Sequence, residues 1–172
     1  MGGTLDVVHR CCPRDQNSLF IGSCAGAGQV RGAPRLGWPL RGYCQGGSGH
    51  KFTVDEPEAL GGGNIAANPV EYALAALGSC QAITYRVWAA QLGIRLDKVE
   101  ISIDGDIDLR GFFGIDDDIR AGFNAVRVNV SLGGPESAAR YEELAAAVDA
   151  HCPVLDLFRN PVPVERKLVS AA

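Results

Sequence analysis

Apolar residues are densest between Asn68 and Gly93, and this stretch is predicted to form one long helix. Asn68 is a favourable N-cap, Pro69 suits the first helical position, and Glu71 can complete a capping box, whereas Gly93 is a common stop signal. Apolar residues fall on nearly every face, so the helix has to be covered all round. A helix of about 36 Å is longer than a chain of this size can cover alone, and we expect a second copy of the chain to help cover it.

Alternation of apolar and polar residues predicts two strands in the second half of the chain. Residues 99–109 carry Val, Ile and Leu at one set of alternate positions and Glu, Ser and Asp at the other, with a bend expected at Gly105. Residues 125–132 repeat the alternation, and the loop between the two favours an antiparallel pair. Weaker patterns predict a short strand over residues 50–54, one or two irregular strands over residues 29–43, and a flexible glycine-rich loop over residues 60–64.

The C-terminal part of the chain predicts two helices and a final strand. Residues 135–150 have helical periodicity, and residues 162–169 are predicted to close the chain as a strand. Pro153 can open a short helix that runs to about Phe158, which places Cys152 at its N-cap. The apolar stripe of the 135–150 helix consists of Tyr141, Leu144, Ala145 and Val148.

Composition narrows the class of protein. The chain has 172 residues, 47% of them hydrophobic, and a mean hydropathy near zero, which indicates one globular domain with a real core. The net charge of −4 argues against a nucleic-acid partner. No window approaches the roughly 18 apolar residues of a membrane helix, and no secretory signal is recognisable. We therefore expect a cytoplasmic protein without membrane contact, with residues 1–28 as a mobile N-terminal tail and residues 29–172 as the folded domain.

No metal ion or other cofactor is predicted. His9, Cys11 and Cys12 have a spacing that matches no standard zinc pattern. The acidic run at residues 116–118 lacks the ligand spacing of an EF-hand and is expected to lie in a solvated loop.

Two cysteines in unlike settings are the candidates for chemistry. Cys80 lies inside the long helix, where burial would leave it inert unless a cation or a hydrogen-bond donor stabilised its thiolate, and Arg is the natural supplier. Cys152 lies at a helix start, where free amides and the helix dipole favour a thiolate. If the two meet, one thiol can attack a peroxide and become a sulfenic acid, which the other converts to a disulfide. The alternative is that both are small buried apolar residues.

Four short motifs, in this order and spacing, carry a resemblance to a known family. They are Leu-Gly-Gly at residues 60–62, Asn-Pro-Val-Glu at 68–71, Ala-Ala-Leu-Gly-Ser-Cys at 75–80 and Cys-Pro-Val at 152–154. Together they resemble the osmotically induced protein C and organic hydroperoxide resistance (OsmC/Ohr) family, over about residues 50–169. The nearest branch is the broad OsmC-like one, which is less uniformly tied to peroxidase activity than the Ohr branch.

The resemblance implies an α+β fold in which two subunits intertwine as a homodimer, with long central helices wrapped by antiparallel sheets. By similarity, Cys80 is the peroxidatic cysteine and Cys152 the resolving one. Family members reduce organic hydroperoxides to alcohols without a metal or flavin. Dithiol reductants, lipoyl groups among them, return the family's enzymes to the thiol form.

The resemblance also implies an Arg that stabilises the thiolate and a Glu that holds this Arg. Arg41 and Glu56 are the candidates, although Ala59 stands where Ohr-type proteins have the Glu before Leu-Gly-Gly. Arg31, Arg35 and Glu58 remain open alternatives. Two other functions also remain open. One is a non-catalytic protein that binds a small apolar ligand in the cleft at Cys80. The other is a redox sensor, in which a partner protein responds to whether Cys80 and Cys152 are thiols or a disulfide.

Overall fold

The predicted long helix is present in the computed structural model, which describes residues 20–21, 42–45 and 51–169. Helix α1 spans Pro69–Leu92 without interruption. The Asn68 side chain accepts a hydrogen bond from the Glu71 amide at 2.9 Å, and the Glu71 carboxylate accepts one from the Asn68 amide at 2.8 Å. Gly93 ends the helix in the left-handed conformation, with φ of 64°. The predicted bounds of this helix are confirmed.

The two predicted alternating strands also form, and they pair antiparallel. Strand β4 (Lys98–Ile107) lies beside strand β5 (Phe123–Gly133) from one end to the other. The register shifts between Asp106 and Ile107, close to the bend expected at Gly105. Strand β1 (Phe20–Ile21) pairs parallel with β4, while β2 (Gly42–Gln45) and β3 (Lys51–Val54) form a separate antiparallel pair.

The remaining helices are short and follow the sheet. Helix α2 (Leu109–Phe112) is one turn in the β4–β5 connection. Helix α3 (Ala138–His151) and helix α4 (Pro153–Arg159) follow β5 and pack against α1. The core lies between α1, the β4–β5 sheet and these two helices, and its buried apolar residues are Leu74, Leu77, Tyr85, Ala89, Ile94, Ile101, Ile103, Leu144, Val148, Cys152 and Leu155.

The described part of the chain covers one side of helix α1 and leaves another side exposed. Leu74 and Leu77 are fully buried, whereas Ile83 is 65% exposed and Val87 is 48% exposed. An apolar face on the second half of the helix is therefore left open to solvent in a single subunit.

The loop before α1 is held more firmly than its glycines suggest. Asp55 is fully buried, and its carboxylate accepts hydrogen bonds from the amides of Gly63 and Ile65 at 3.1–3.2 Å. A short 3₁₀ helix covers Glu58–Leu60. A Cβ atom at Gly62 would lie only 1.8 Å from the Glu56 carbonyl oxygen, so this position requires glycine. Contacts with Asp55 and Glu56 therefore constrain the glycine run, which the sequence alone predicts to be a flexible loop.

Two predicted elements differ in the C-terminal part. Helix α3 begins three residues later than predicted, because Ser137 caps it while the Glu136 carboxylate accepts a hydrogen bond from the Arg95 amide at 3.0 Å. The predicted strand over residues 162–169 does not form with the described residues, and this segment is exposed throughout. A strand forms only when its backbone groups pair with a neighbouring strand, and none of the described residues pairs with this exposed segment, whose backbone groups are open to water.

Several predictions fall outside the described residues. Among them are His9, Cys11, Cys12 and most of residues 1–43, of which only β1 and the start of β2 are described. The division into a tail over residues 1–28 and a domain over residues 29–172 therefore stays a prediction. Within the described ranges, no helix is long and apolar enough to cross a membrane.

Candidate active site

Cys152 occupies the junction between α3 and α4 because Pro153 cannot continue the preceding helix. Its backbone is extended, with φ of −80° and ψ of 110°, so Cys152 caps both helices. Its amide donates to the Val148 carbonyl at 2.9 Å, and its carbonyl accepts from the Asp156 amide at 3.0 Å. These bonds hold the Cys152 side chain against α1.

The structure brings the two predicted cysteines together. The Cys152 thiol is within hydrogen-bonding reach of the Cys80 sulfur, the Thr84 hydroxyl and the Leu155 amide. Thr84 lies one turn after Cys80 on α1, and its hydroxyl donates to the Cys80 carbonyl at 2.8 Å. Both cysteines are free thiols. A contact between α1 and the α3–α4 junction thus creates a pair of thiols from distant parts of the chain.

The two thiols differ in access to solvent, and burial affects the pKa of Cys152. Cys152 is 2% exposed, whereas Cys80 is only partly buried. Burial raises the pKa of the Cys152 thiol, and contact with Cys80 raises it further, although the Leu155 amide and Thr84 oppose the rise. The amide at the helix start favours the Cys152 thiolate as expected, but burial outweighs it, so the pKa of Cys152 is raised.

Sequence reasoning missed two polar side chains of α1, Gln81 and Tyr85, which are buried near the thiols. Tyr85 is 3% exposed, and burial raises its pKa to about 12, with the carboxylates of Asp149 and Glu142 and the Cys152 thiol adding to the effect. The phenol therefore keeps its proton at neutral pH. Gln81 is 2% exposed, and its Oε1 has no hydrogen-bond partner among the described residues. The signal in the sequence was their spacing of four residues, which places both on one stripe of the helix.

A cavity of about 360 Å³ lies beside this stripe. At one side, Arg159 donates a hydrogen bond to the Asp149 carboxylate at 2.9 Å. The walls of the cavity come from α1, β5 and α4, and polar and apolar surface contribute about equally to the lining. The lining residues are Leu77, Gln81, Tyr85, Val126, Val128, Val130, Asp149, Leu155, Phe158 and Arg159.

Glu56 lies in the loop before α1, in an acidic setting. Burial raises the pKa of Glu56, and the nearby carboxylates of Glu71 and Asp55 raise it further. Glu71 precedes Cys80 on α1 by about 13 Å along the helix axis. No cation of the described residues pairs with Glu56, and Arg41 lies outside them. The predicted roles of Arg41 and Glu56 therefore stay predictions.

The described residues were also compared with the ligand sets of metal sites. No group of three or more His, Cys, Asp or Glu side chains there is arranged to hold an ion. In the acidic run at residues 116–118, the Asp116 carboxylate lies near Arg110 and accepts a hydrogen bond from the Asp118 amide, as in an ordinary surface turn.

Solved structures with the same fold come from several bacteria. An OsmC-like protein from Mycoplasma pneumoniae superposes with a TM-score of 0.56 at 16% identity, covering 69% of this chain and 85% of that one. An organic hydroperoxide resistance protein OsmC from Legionella pneumophila gives a TM-score of 0.51 at 22% identity, covering 72% and 90%. An organic hydroperoxide resistance protein from Elizabethkingia anophelis, with thiocyanate bound, gives 0.52 at 20% identity, covering 70% and 81%.

These structures show that the α+β architecture is the OsmC-like fold, and the sequence agrees. No curated protein matches the chain. The family model described as "OsmC-like protein" matches residues 61–167, which include both cysteines and more than half of the chain. The protein is therefore a member of the OsmC-like family.

Proposed function

We propose that this protein is a thiol-dependent peroxidase that reduces organic hydroperoxides to alcohols. The Cys80 thiolate attacks the terminal oxygen of the hydroperoxide, so that an S–O bond forms, the O–O bond breaks and the alkoxide leaves as the alcohol after protonation. Cys152 then attacks the Cys80 sulfenic acid, which forms the disulfide and releases water. A dithiol reductant, such as a lipoyl group, exchanges with the disulfide, becomes oxidised itself and restores both thiols.

The observation that carries the proposal is the contact between the Cys80 and Cys152 thiols. A buried cysteine with only apolar neighbours would be a packing residue. Two free thiols in contact can instead form a disulfide once one of them is oxidised. The membership of the family and the likeness to proteins named for organic hydroperoxide resistance support the same chemistry.

The difference in access supports the assignment of roles. Cys80 is the more exposed of the two thiols, so a peroxide reaches it first. Cys152 is buried and keeps its proton more tightly than a free thiol. It therefore suits the role of the resolving thiol, which has to react only after the sulfenic acid has formed beside it.

The complete site requires groups beyond those that one described subunit contributes. An Arg is needed to favour the Cys80 thiolate, and Arg41, held by Glu56, is our candidate. We further propose that the protein works as an intertwined homodimer, since Ile83 and Val87 leave an apolar face of α1 uncovered. We place the protein in the cytoplasm, where dithiols can keep the thiols reduced.

A rapid-mixing experiment with mass spectrometry tests the mechanism. Reduced wild type, Cys80→Ser and Cys152→Ser are each mixed with one equivalent of cumene hydroperoxide. We expect wild type to form the 80–152 disulfide, Cys152→Ser to stop at a sulfenic acid or beyond, and Cys80→Ser to be inert. With dithiothreitol present, only wild type should release cumyl alcohol in repeated turnovers at its full rate. A Cys80 that reacts no faster than a free thiol would contradict the peroxidase.

The cavity beside Gln81 and Tyr85 has room for a small ligand, which supports one second candidate, a non-catalytic protein that binds a small molecule. That function predicts thiols that are inert toward peroxide, together with a melting temperature that rises with ligand. A disulfide that forms without turnover would instead indicate a redox sensor.

A further inference from the structure

A buried hydroxyl group lies in the middle of helix α1, beside the two thiols. Thr84 is 7% exposed and follows Cys80 by one helical turn, so the two residues are on one stripe of the helix. The Cys152 thiol, at the α3–α4 junction, is within hydrogen-bonding reach of both the Thr84 hydroxyl and the Cys80 sulfur. Thr84 therefore contacts the atom that attacks Cys80 in the proposed mechanism.

In the reduced protein, the Thr84 hydroxyl directs its proton away from the sulfur. It donates to the Cys80 carbonyl at 2.8 Å, which is a bond back along its own helix. A hydroxyl also has two lone pairs, so it can accept from the Cys152 S–H group at the same time. The Cys80 carbonyl does not depend on the hydroxyl, because a carbonyl inside an uninterrupted α-helix also accepts from the amide four residues later. The hydroxyl proton can thus turn to another acceptor.

The Cys152 sulfur becomes such an acceptor when it loses its proton. The thiolate is the form that attacks, and a side chain that is only 2% exposed has little water to solvate the charge. Two donors of the chain are within reach of the sulfur, the Leu155 amide and the Thr84 hydroxyl. The amide is fixed in the backbone, whereas the hydroxyl rotates about its C–O bond. The hydroxyl can therefore act as an acceptor for the thiol and as a donor for the thiolate.

We propose that Thr84 is a catalytic residue of the resolving step, and that its hydroxyl turns from the Cys80 carbonyl to the Cys152 sulfur to stabilise the attacking thiolate. This role rests on the proposed peroxidase mechanism, whereas the contact between Thr84 and the thiolate does not. In the step itself, an S–S bond forms between Cys152 and Cys80, and the S–O bond of the Cys80 sulfenic acid breaks. The departing hydroxide combines with the proton that Cys152 has lost and leaves as water, so the step needs no further oxidant or reductant.

Other titratable groups near Cys152 have to be separated from the effect of Thr84. Among the described residues of the three helices around the thiol, these groups are Cys80 and Tyr85 on α1, Asp149 and His151 on α3, and Asp156 and Arg159 on α4. A substitution of Thr84 leaves all of them in place. A difference between wild type and a Thr84 variant in the titration of Cys152 therefore reports the hydroxyl itself.

A titration of Cys152 tests the contact without any peroxide. The full-length protein is labelled with ¹³C at the cysteine Cβ atoms in a Cys80→Ser background, so that no second thiol is coupled to Cys152. The Cys152 signal is then followed by NMR as the pH rises. We expect Thr84→Val to lower the acidity of Cys152 about ten-fold, because Val has the shape of Thr but donates no hydrogen bond. Thr84→Ser keeps the hydroxyl and should lower the acidity much less.

The rate of disulfide formation after one equivalent of cumene hydroperoxide tests the catalytic role. A ten-fold loss of acidity lowers the thiolate fraction about ten-fold near neutral pH, while the more basic thiolate becomes about three-fold more nucleophilic. Thr84→Val should therefore form the 80–152 disulfide about three-fold more slowly than wild type near pH 7, and the deficit should disappear by about pH 10. A purely structural role, in which the substitution displaces the thiol, would slow the reaction at every pH.

Ser79→Ala is the matched control. The Ser79 hydroxyl also bonds back along the helix, to the Ala75 carbonyl at 2.7 Å, but Ser79 lies about 140° around the helix from Thr84. Its removal should change neither the titration of Cys152 nor the rate profile. Thr84→Ala also removes the hydroxyl and keeps the test open if Thr84→Val does not fold. An unchanged acidity of Cys152, a rate deficit that is equal at pH 7 and pH 10, or a Thr84→Ser variant as impaired as Thr84→Val would each overturn the inference.

The two measurements also distinguish this inference from the proposed function. If wild type forms the 80–152 disulfide and Thr84→Val has the same rate profile, the peroxidase stands and the inference fails. If the acidity of Cys152 responds to Thr84 but peroxide produces no disulfide, the peroxidase and the catalytic role of Thr84 both fail, and only the hydrogen bond remains.

Discussion

The pKa of the Cys152 thiol follows its immediate contacts more than the helix that carries it. Cys152 starts α4, and a helix start ordinarily favours a thiolate through its free amides. The structure buries the side chain against Cys80 and α1, and burial disfavours the charged form. One amide hydrogen bond from Leu155 does not compensate for the loss of water around the sulfur.

The raised pKa of Cys152 predicts the pH dependence of disulfide formation. The attacking species is the thiolate, and its fraction keeps rising with pH until the pKa is passed. After oxidation of Cys80 by one equivalent of peroxide, the rate of disulfide formation should therefore still increase above pH 9.0, the ordinary value of a cysteine thiol. Stopped-flow fluorescence or quenched mass spectrometry measures this rate.

The matched control is the attack of a small external thiol on the sulfenic acid of Cys152→Ser. The rate of that attack should level off near the pKa of the external thiol. A rate for Cys152 that levels off well below pH 9.0 would contradict the burial effect.

At the level of elements, the contacts at the two ends of α1 determine where this helix, which carries Cys80, begins and ends. The capping box satisfies two amides at its start, and Gly93 ends it in a conformation that other residues adopt only with strain. The buried Asp55 carboxylate organises the loop that leads into the helix. Since Cys80, Gln81, Thr84 and Tyr85 all lie on α1, these end contacts fix the register of the whole site.

Removing the capping box should destabilise the protein non-additively. We expect Asn68→Ala to lower the free energy of unfolding by about 1–2 kcal/mol and Glu71→Ala to lower it by somewhat less. The double variant should lose less than the sum of the two, because each side chain satisfies an amide next to the other. Urea denaturation measures these values.

Ser137→Ala is the control, since it removes a cap from α3. Its loss in free energy of unfolding should add fully to that of Asn68→Ala. Additive losses for Asn68 and Glu71 would mean that the two bonds form independently.

At the level of the whole molecule, one described subunit leaves apolar surface without cover. Ile83 and Val87 are exposed on α1, and the extended segment over residues 161–169 has exposed apolar side chains and no strand partner among the described residues. Burying apolar surface is worth about 25 cal/mol per Å², so association of two copies through α1 would gain stability that a single subunit lacks. Both features agree with the homodimer proposed above.

A charge on the open face of α1 should disrupt that dimer. Wild type is expected to sediment as a dimer at micromolar concentration, and Ile83→Asp should shift it towards the monomer, because the carboxylate would lose its water at the interface. Analytical ultracentrifugation measures the dissociation constant. Leu157→Asp is the control, since Leu157 is similarly exposed, at 57% against 65%, but lies on α4. A monomeric wild type, or equal effects of the two variants, would contradict the expected interface.

The elements of this protein could be predicted from the sequence because their signals are local. Each signal acts over a few residues: the caps of α1, the alternation of β4 and β5, and the proline that starts α4. All four elements form at the positions that these signals predict. The motifs around Cys80 and Cys152 likewise indicated the family that the comparisons confirm.

Only the tertiary structure decided how distant residues meet. It placed Cys152 against Cys80, buried it enough to raise its pKa, and left Gln81 unsatisfied beside a cavity. It also showed that the segment over residues 162–169, although its side chains alternate like those of a strand, finds no partner among the described residues. Contacts, burial and strand pairing depend on the packing of separate elements, and a local pattern does not encode which distant element will cover a given surface.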